Sequence, residues 1–219
     1  MLERIVSLFD LGGPVALVLL FLSVVALTII LVKVWQFKTI QIGHFQTAKD
    51  ALGFYRRGLS NEALEACSKS RNPVTLAVAR AIRGHLRSLP DLIIREEVMR
   101  YGTDALESLR NGFRMLEMIA SLSPLLGLLG TVLGMIDAFR EMEQSGNQVN
   151  PAVLSGGIWE ALLTTALGLI VAIVVVVVLG LLEKKVDRLS HEMSNIVTGI
   201  FTIDLSEDST RVENAEPIS

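Results

Sequence analysis

The sequence predicts an all-α integral membrane protein with three transmembrane helices, two of them extended into a helical cytoplasmic domain. Three observations carry that fold class. Hydrophobic residues make up 51% of the 219, more than a soluble domain carries. Three apolar runs, 11–32, 118–136 and 161–182, come close to or reach the roughly 20 residues that cross hydrocarbon. Lysine and arginine are spread unequally between the segments that join them.

The first run, Leu11 to Val32, lies between Asp10 and Lys33. It is longer than the ~7–15 apolar residues of a signal-peptide core, and no small-x-small cleavage site ends it, so it reads as a retained anchor. Fourteen Lys and Arg lie from Lys33 to Arg114. One (Arg4) precedes the first run, one (Arg140) falls in 137–160, and four follow Leu182. The positive-inside bias puts 33–117 and the C-terminal part in the cytoplasm, and residues 1–10 and 137–160 on the periplasmic side. The net charge of −3 decides nothing here, because orientation follows the asymmetry and not the sum.

The cytoplasmic loop 33–117 is helical by pattern. Gly58 breaks one segment and Asn61-Glu62 opens the next with a capping side chain and an early acid. Asn72-Pro73 opens another, proline suiting the first helical position. Leu89-Pro90-Asp91 opens the last. From Asp91 an apolar pattern runs through Ile94, Val98, Tyr101, Leu106, Leu109 and Phe113 into the second run. The expectation is one long helix that rises from the cytoplasm and crosses the membrane. Cys67 is the sole cysteine, which excludes an intramolecular disulfide or a cysteine metal cluster; it reads as a packed helix position. His44, His85 and His191 share no motif and read as solvated or helix-surface residues.

In the second run, Ser123, Gly127, Thr131 and Gly134 fall within about 80° of one another on a helical wheel. Small residues on one stripe let helices approach closely in lipid. Two readings stand: a helix–helix seam, or a seam that also lines a polar axis with the Thr131 hydroxyl. Glu117 and Asp137 bound this run and read as interfacial charges.

Glu160 stands at the mouth of the third run, and 161–182 carries no charge. An ionised side chain in hydrocarbon costs at least about 2.5–3.5 kcal/mol, so such groups face protein or water and mark ion paths. The other reading is an interfacial carboxylate that snorkels to water. Thr164 shares its face, and Thr165 points about 140° away, toward the second run. Trp159 reads as an interface anchor. Beyond Leu182 the pattern Val186, Leu189, Met193, Val197 predicts an amphipathic extension over 183–205, packed on the long helix or on a neighbouring subunit. The polar, acidic 206–219 reads as a disordered tail.

No G-x-x-x-x-G-K-[ST] loop is present, and no nucleophile–base or paired-carboxylate set lies within the runs. The chain reads as a non-enzyme without cofactor or metal. No aromatic-interleaved basic patch points to nucleic acid. No internal repeat of the kind secondary transporters carry is visible.

Two stretches resemble the second- and third-span signatures of the ExbB/TolQ proteins, relatives of the MotA flagellar stators. They are Ser123-Pro124-Leu125-Leu126-Gly127-Leu128-Leu129-Gly130-Thr131-Val132-Leu133-Gly134-Met135-Ile136 and Gly157-Ile158-Trp159-Glu160-Ala161-Leu162-Leu163-Thr164-Thr165-Ala166-Leu167-Gly168-Leu169. The first adds Gly130, and the second Gly168, to the packing positions. The three-span layout favours this branch over a four-span stator. The resemblance is strongest to ExbB. It implies a homo-oligomeric ring, a pentamer, in the bacterial inner membrane around a single-span ExbD/TolR-like partner. It further implies work on a TonB-like or TolA-like protein, driven by the proton-motive force. By motif, Glu160 becomes the ring carboxylate near the proton path, and Thr131, Thr165 and Thr164 its polar lining. A TolQ-like role in outer-membrane maintenance, or a scaffold without ion conduction, are the alternatives. Family members often carry a proline after Ala-Ile in the third span. Here Ala172-Ile173 is followed by Val174, which removes the bend such a proline would give.

Overall fold

The computed structural model describes residues 2–144 and 151–202. Seven helices follow in chain order: α1 (Leu2–Thr39), α2 (Gln46–Arg56), α3 (Ser60–Ser68), α4 (Pro73–Leu86), α5 (Asp91–Arg110), α6 (Phe113–Gln144) and α7 (Pro151–Phe201). No strand occurs among the described residues. Among the described residues three helical stretches are long and apolar enough to cross a membrane, Gly13–Thr39, Asp91–Gln144 and Leu154–Phe201; they hold 118–136, 161–182 and all of 11–32 but its first two residues. Residues 145–150 of the expected periplasmic loop, and the tail from 203, lie outside the described residues.

The chain divides into two compact units. The first holds α1 through Lys33 together with Gly112–Leu181. Its buried residues are mostly small or sit on one stripe: Val15, Ala16, Leu19 and Ala26 on α1; Leu116, Ile119, Ser123, Gly127 and Gly130 on α6; Ala161, Thr164, Ala172 and Val175 on α7. The outward faces stay apolar, with Phe21, Leu125, Ile170 and Ile173 all exposed. Such a surface suits lipid or further protein and not water. Pro124 lies inside α6 without ending it. In α7 no residue departs from helical geometry around Val174, in keeping with the missing proline.

The second unit holds Val34–Asn111 and α7 from Leu182 onward. Asn72 organises its start. It caps α4 by accepting from the Val74 amide at 2.9 Å, and its side-chain amide donates to Gln41 O (2.8 Å) and His44 O (3.2 Å). Pro73 then fills the first helical position, as the sequence suggests. The core is alanine- and valine-rich: Ala48, Ala51, Ala63, Val74, Ala77, Val78, Ala81 and Ile82 are buried. Against it α7 buries Val186, Leu189, Met193, Ile196 and Ile200, spaced as one helical face. Arg110 pairs with Asp187 at 2.8 Å, and Met193 Sδ packs over Gly102.

Three expectations are corrected. The single helix from Asp91 into the second run is two helices, α5 and α6, interrupted at Asn111–Gly112. Gly112 adopts φ +88°, a left-handed conformation that glycine reaches without cost and that ends the α5 ladder. Asn61 does not open α3: the helix begins at Ser60 with Leu59 at the cap position, and Glu62 is its early acid. His85 is not a solvated residue. Its Nδ1 lies 2.6 Å from Tyr55 Oη, its Nε2 lies 3.4 Å from Asp91, and the Phe201 ring packs edge-on 5.3 Å away. Histidines carry no periodic signature, so this node was invisible in the sequence.

Candidate proton-path site

The site is built where α6 and α7 meet. Ser123, Gly127, Gly130, Gly134 and Ala138 step by four, three, four and four residues, which keeps them on one face of a 3.6-residue helix. Opposite them on α7 stand Gly168, Thr165, Thr164, Ala161 and Gly157. The backbones nearly touch. A Cβ at Gly127 would lie 2.9 Å from Thr165 Cα, and one at Gly134 would lie 3.0 Å from Ala161 Cβ. At Gly168 it would collide with the Ser123 carbonyl, and at Gly130 with the Thr164 hydroxyl. Small residues at both sides of a seam are what close helix approach in lipid requires.

Close approach lets polar groups cross the seam. The Thr165 hydroxyl donates to the Gly127 carbonyl at 2.9 Å. The Thr164 hydroxyl, buried to 2% exposure, divides between its own helix (Ala161 O, 2.7 Å) and the same Gly127 carbonyl (3.3 Å). The Ser123 hydroxyl, fully buried, donates to Ile119 O at 2.6 Å. Thr131 lies off this contact. Its hydroxyl donates back to Leu128 O at 2.7 Å, and Gly130 holds the position against Thr164. Ser123, Gly127 and Thr131 are two successive four-residue steps, which drift about 80° in all, whereas the three-residue step to Gly130 brings the stripe back under α7. Thr131 is left partly accessible on the neighbouring face.

Glu160 is one turn before Thr164 and is half-buried. Its carboxylate lies beside Gly13 of α1, where a Cβ would stand 3.9 Å from Glu160 Oε1. Trp159 beside it is 66% exposed. Asp137 faces outward with Arg140, 3.9 Å away. The structure thus brings Thr164, Thr165, Ser123, Gly127, Gly130, Gly134 and Gly168 into one seam, sets Glu160 at its end, and leaves Thr131 beside it. Sequence reasoning missed Ala138 and Gly157, whose close contact extends the same spacing, and it missed Gly13. The signal for Gly13 was present as a Gly-Pro pair inside an apolar run. No group of three metal-ligating side chains is found among the described residues.

Known proteins are similar to this chain over much of its length. Residues 69–195 match the MotA/TolQ/ExbB proton channel family. The chain is 34% identical over 189 residues to the ExbB-like 1 biopolymer transport protein of Synechocystis, covering 82% of this chain and 70% of that protein. It is 44% identical over 78 residues to the biopolymer transport protein exbB1 of Vibrio cholerae, covering 36% of this chain and 34% of that protein. It is 33% identical over 122 residues to the Tol-Pal system protein TolQ of Haemophilus influenzae, covering 56% of this chain and 49% of that protein. Both signature stretches, and the seam they form, fall inside the matched region: the chain belongs to the MotA/TolQ/ExbB proton channel family.

Proposed function

We propose that this chain is the ring-forming subunit of a proton-motive-force-driven motor in the bacterial inner membrane, coupling proton flow to work on a periplasmic or outer-membrane partner. Family membership supports the proton-channel part of this reading. The observation that carries the rest is a carboxylate, Glu160, beside a seam whose polar atoms include two threonine hydroxyls, a serine hydroxyl and a bare glycine carbonyl. In this reading Glu160 takes part in proton passage, and Thr164, Thr165 and Thr131 supply polar lining. The exposed apolar faces of the membrane helices suit packing into a homo-oligomer, in the family manner a pentamer around a single-span ExbD/TolR-like protein. A charge crossing 100 mV releases about 2.3 kcal/mol, so a few protons suffice to bias a two-state motion. The N-terminus faces the periplasm and the C-terminal part the cytoplasm.

An ExbB-like role with a TonB-like protein is the first reading, since relatives named for biopolymer transport include one that covers 82% of this chain. The similarity to TolQ keeps a TolA-linked, outer-membrane role as the second. Deleting the gene separates them. Loss of gradient-dependent uptake with an intact outer membrane fits the first; leakage of periplasmic contents and detergent sensitivity fit the second. Neither phenotype, together with no proton flux when the chain is reconstituted with its single-span partner, would refute the motor reading.

A further inference from the structure

Helix α4 carries Arg80, Arg83 and Arg87 at steps of three and four residues, so the three share one face. That face and α5 line a groove of about 390 Å³. Its floor is tight: a Cβ at Gly84 would lie 2.7 Å from Ile94 Cγ1, and Ile94 and Val98 are buried. Its lip is apolar and open, with Leu89 42% and Ile93 51% exposed. The groove is thus a cationic wall beside an apolar lip, all within the second unit.

The positive charge of this wall is not balanced among the described residues. Glu97 is the one acid that lines the groove there, and Arg100 already holds it through bonds of 2.7 and 3.3 Å. Arg80 lies over the Tyr101 ring, 3.8 Å from its centre, which fixes a cation without neutralising it. Arg83 and Arg87 are exposed and form no ion pair among the described residues.

The chain itself carries a counterpart. Residues 203–219 hold five carboxylates, Asp204, Glu207, Asp208, Glu213 and Glu216, against Arg211, with Leu205 and Val212 between them. The point from which this segment departs is fixed on the helices that line the groove. Phe201 packs edge-on against His85 of α4 at 5.3 Å, and the Arg95 guanidinium of α5 lies 4.2 Å from the centre of its ring. Arg83 and Arg87 each stand two residues from His85, on the opposite side of α4. A helix is about 10–12 Å across with its side chains, and five extended residues span about 16–18 Å, so the carboxylates from Glu207 onward can pass round it. Exposed ion pairs are weak one by one. A tether changes the balance: at roughly millimolar effective concentration, a contact of only about 0.1 mM affinity is occupied about ten to one.

We propose that the α4–α5 groove is a docking site for the acidic segment 203–219 of the same chain, with Arg83 and Arg87 as its principal cations and Leu89 and Ile93 as its apolar lip. The segment covers the groove, so another acidic peptide enters only by displacing it. This docking is independent of the proton-path reading, because it involves the second unit alone.

The test uses the full-length chain in membranes, in a Cys67→Ala background. Leu89→Cys on the lip is paired with Ser206→Cys or Ser209→Cys, which leave every charge in place. Ser68→Cys, exposed on α3, replaces Leu89→Cys as the reference. With a short bis-maleimide at low salt, at least one Leu89→Cys pair is expected to crosslink within the chain at least tenfold faster than its Ser68→Cys counterpart. Raising the salt to about 1 M shortens the screening length to about 3 Å and is expected to remove most of that excess. Arg83→Glu with Arg87→Glu is expected to lower the rate at least fivefold, and adding Glu207→Arg with Asp208→Arg to restore it. Recovery in the swapped chain also shows that the reversed groove folds. Equal rates at Leu89→Cys and Ser68→Cys would overturn the proposal. So would crosslinks formed only between subunits, or a loss at the reversed arginines that the swap does not recover.

Discussion

Thr165 donates its hydroxyl to the Gly127 carbonyl across 2.9 Å, so the third membrane helix is hydrogen-bonded to the backbone of the second. The bond exists because Gly127 lacks a side chain that would hold the helices apart. It fixes the height of α7 along α6, and with it the height of Glu160 at the end of the seam. Thr165→Val removes the donor at nearly constant volume. Interhelical side-chain bonds in membranes are worth about 0.6 kcal/mol on average and up to about 1.7, so a small loss in thermal stability is expected. A drop in gradient-dependent activity larger than that loss would mark Thr165 as part of the path as well as of the seam.

The glycines of α6 and α7 separate into those that touch a neighbouring helix and those that do not. Gly168→Ala drives a methyl into the Ser123 carbonyl, and Gly127→Leu drives a larger group into Thr165 Cα. Overpacking costs about 1–3 kcal/mol where the surroundings can shift, and backbone shifts poorly. Both variants are expected to lower the melting temperature in detergent and to weaken assembly by native mass spectrometry. Gly180→Ala, which meets nothing within 4 Å, is the control and is expected to be neutral.

Much of this seam was legible in the sequence. Small residues at three- and four-residue steps are a one-dimensional record of close helix contact, and a charge-free run with a terminal carboxylate is a record of membrane depth. The position of Thr131 was less legible: a 40° difference on a wheel separates the contact from the adjoining face, and only packing decides it. The interruption at Gly112 was hidden by continuous apolar spacing on both sides, since periodicity reports burial and not backbone continuity. The His85 node joins residues far apart in sequence, Tyr55, Asp91 and Phe201, which no local pattern records.

Asn72 holds the start of the cytoplasmic unit through three hydrogen bonds while only 2% exposed. Asn72→Ala removes a helix cap worth about 1 kcal/mol. It also removes two part-buried bonds, to Gln41 O, which keeps the His44 amide as a partner, and to His44 O, each worth about 0.5–1.5 kcal/mol net. A loss of about 2–4 kcal/mol for this unit is expected by denaturant titration followed by hydrogen exchange or limited proteolysis. Asn72→Asp keeps the cap and loses both donors, and is expected to fall between the two.

Cys67 is 2% exposed, and burial pushes its thiol up to about 11, with Arg83 pulling weakly the other way. The folded state therefore holds a proton that the unfolded state releases near its ordinary value of 9.0. The contribution to stability is fully present below that value and is lost as pH rises through about 11. Cys67→Ala is expected to flatten the alkaline fall in stability between those limits. Native Cys67 is expected to resist maleimide and to react on denaturation.

Orientation is tested at a neighbouring exposed position instead. Ser68 is exposed, so Ser68→Cys in a Cys67→Ala background presents a labelling site. A membrane-impermeant maleimide is expected to reach it in inverted vesicles and to miss it in intact spheroplasts. Labelling of spheroplasts would reverse the topology.

The proposed motor needs the ionisable group of Glu160 for proton-coupled work. The most direct measurement is gradient-dependent activity of Glu160→Gln and Glu160→Asp in cells, with membrane level and oligomer checked alongside. Gln keeps the size and hydrogen bonding of the side chain but cannot exchange a proton. At least a tenfold loss is expected in Glu160→Gln with normal insertion and assembly, and partial activity in Glu160→Asp. Full activity in an assembled Glu160→Gln protein would contradict the claim and leave the carboxylate as an interfacial charge that reaches for water.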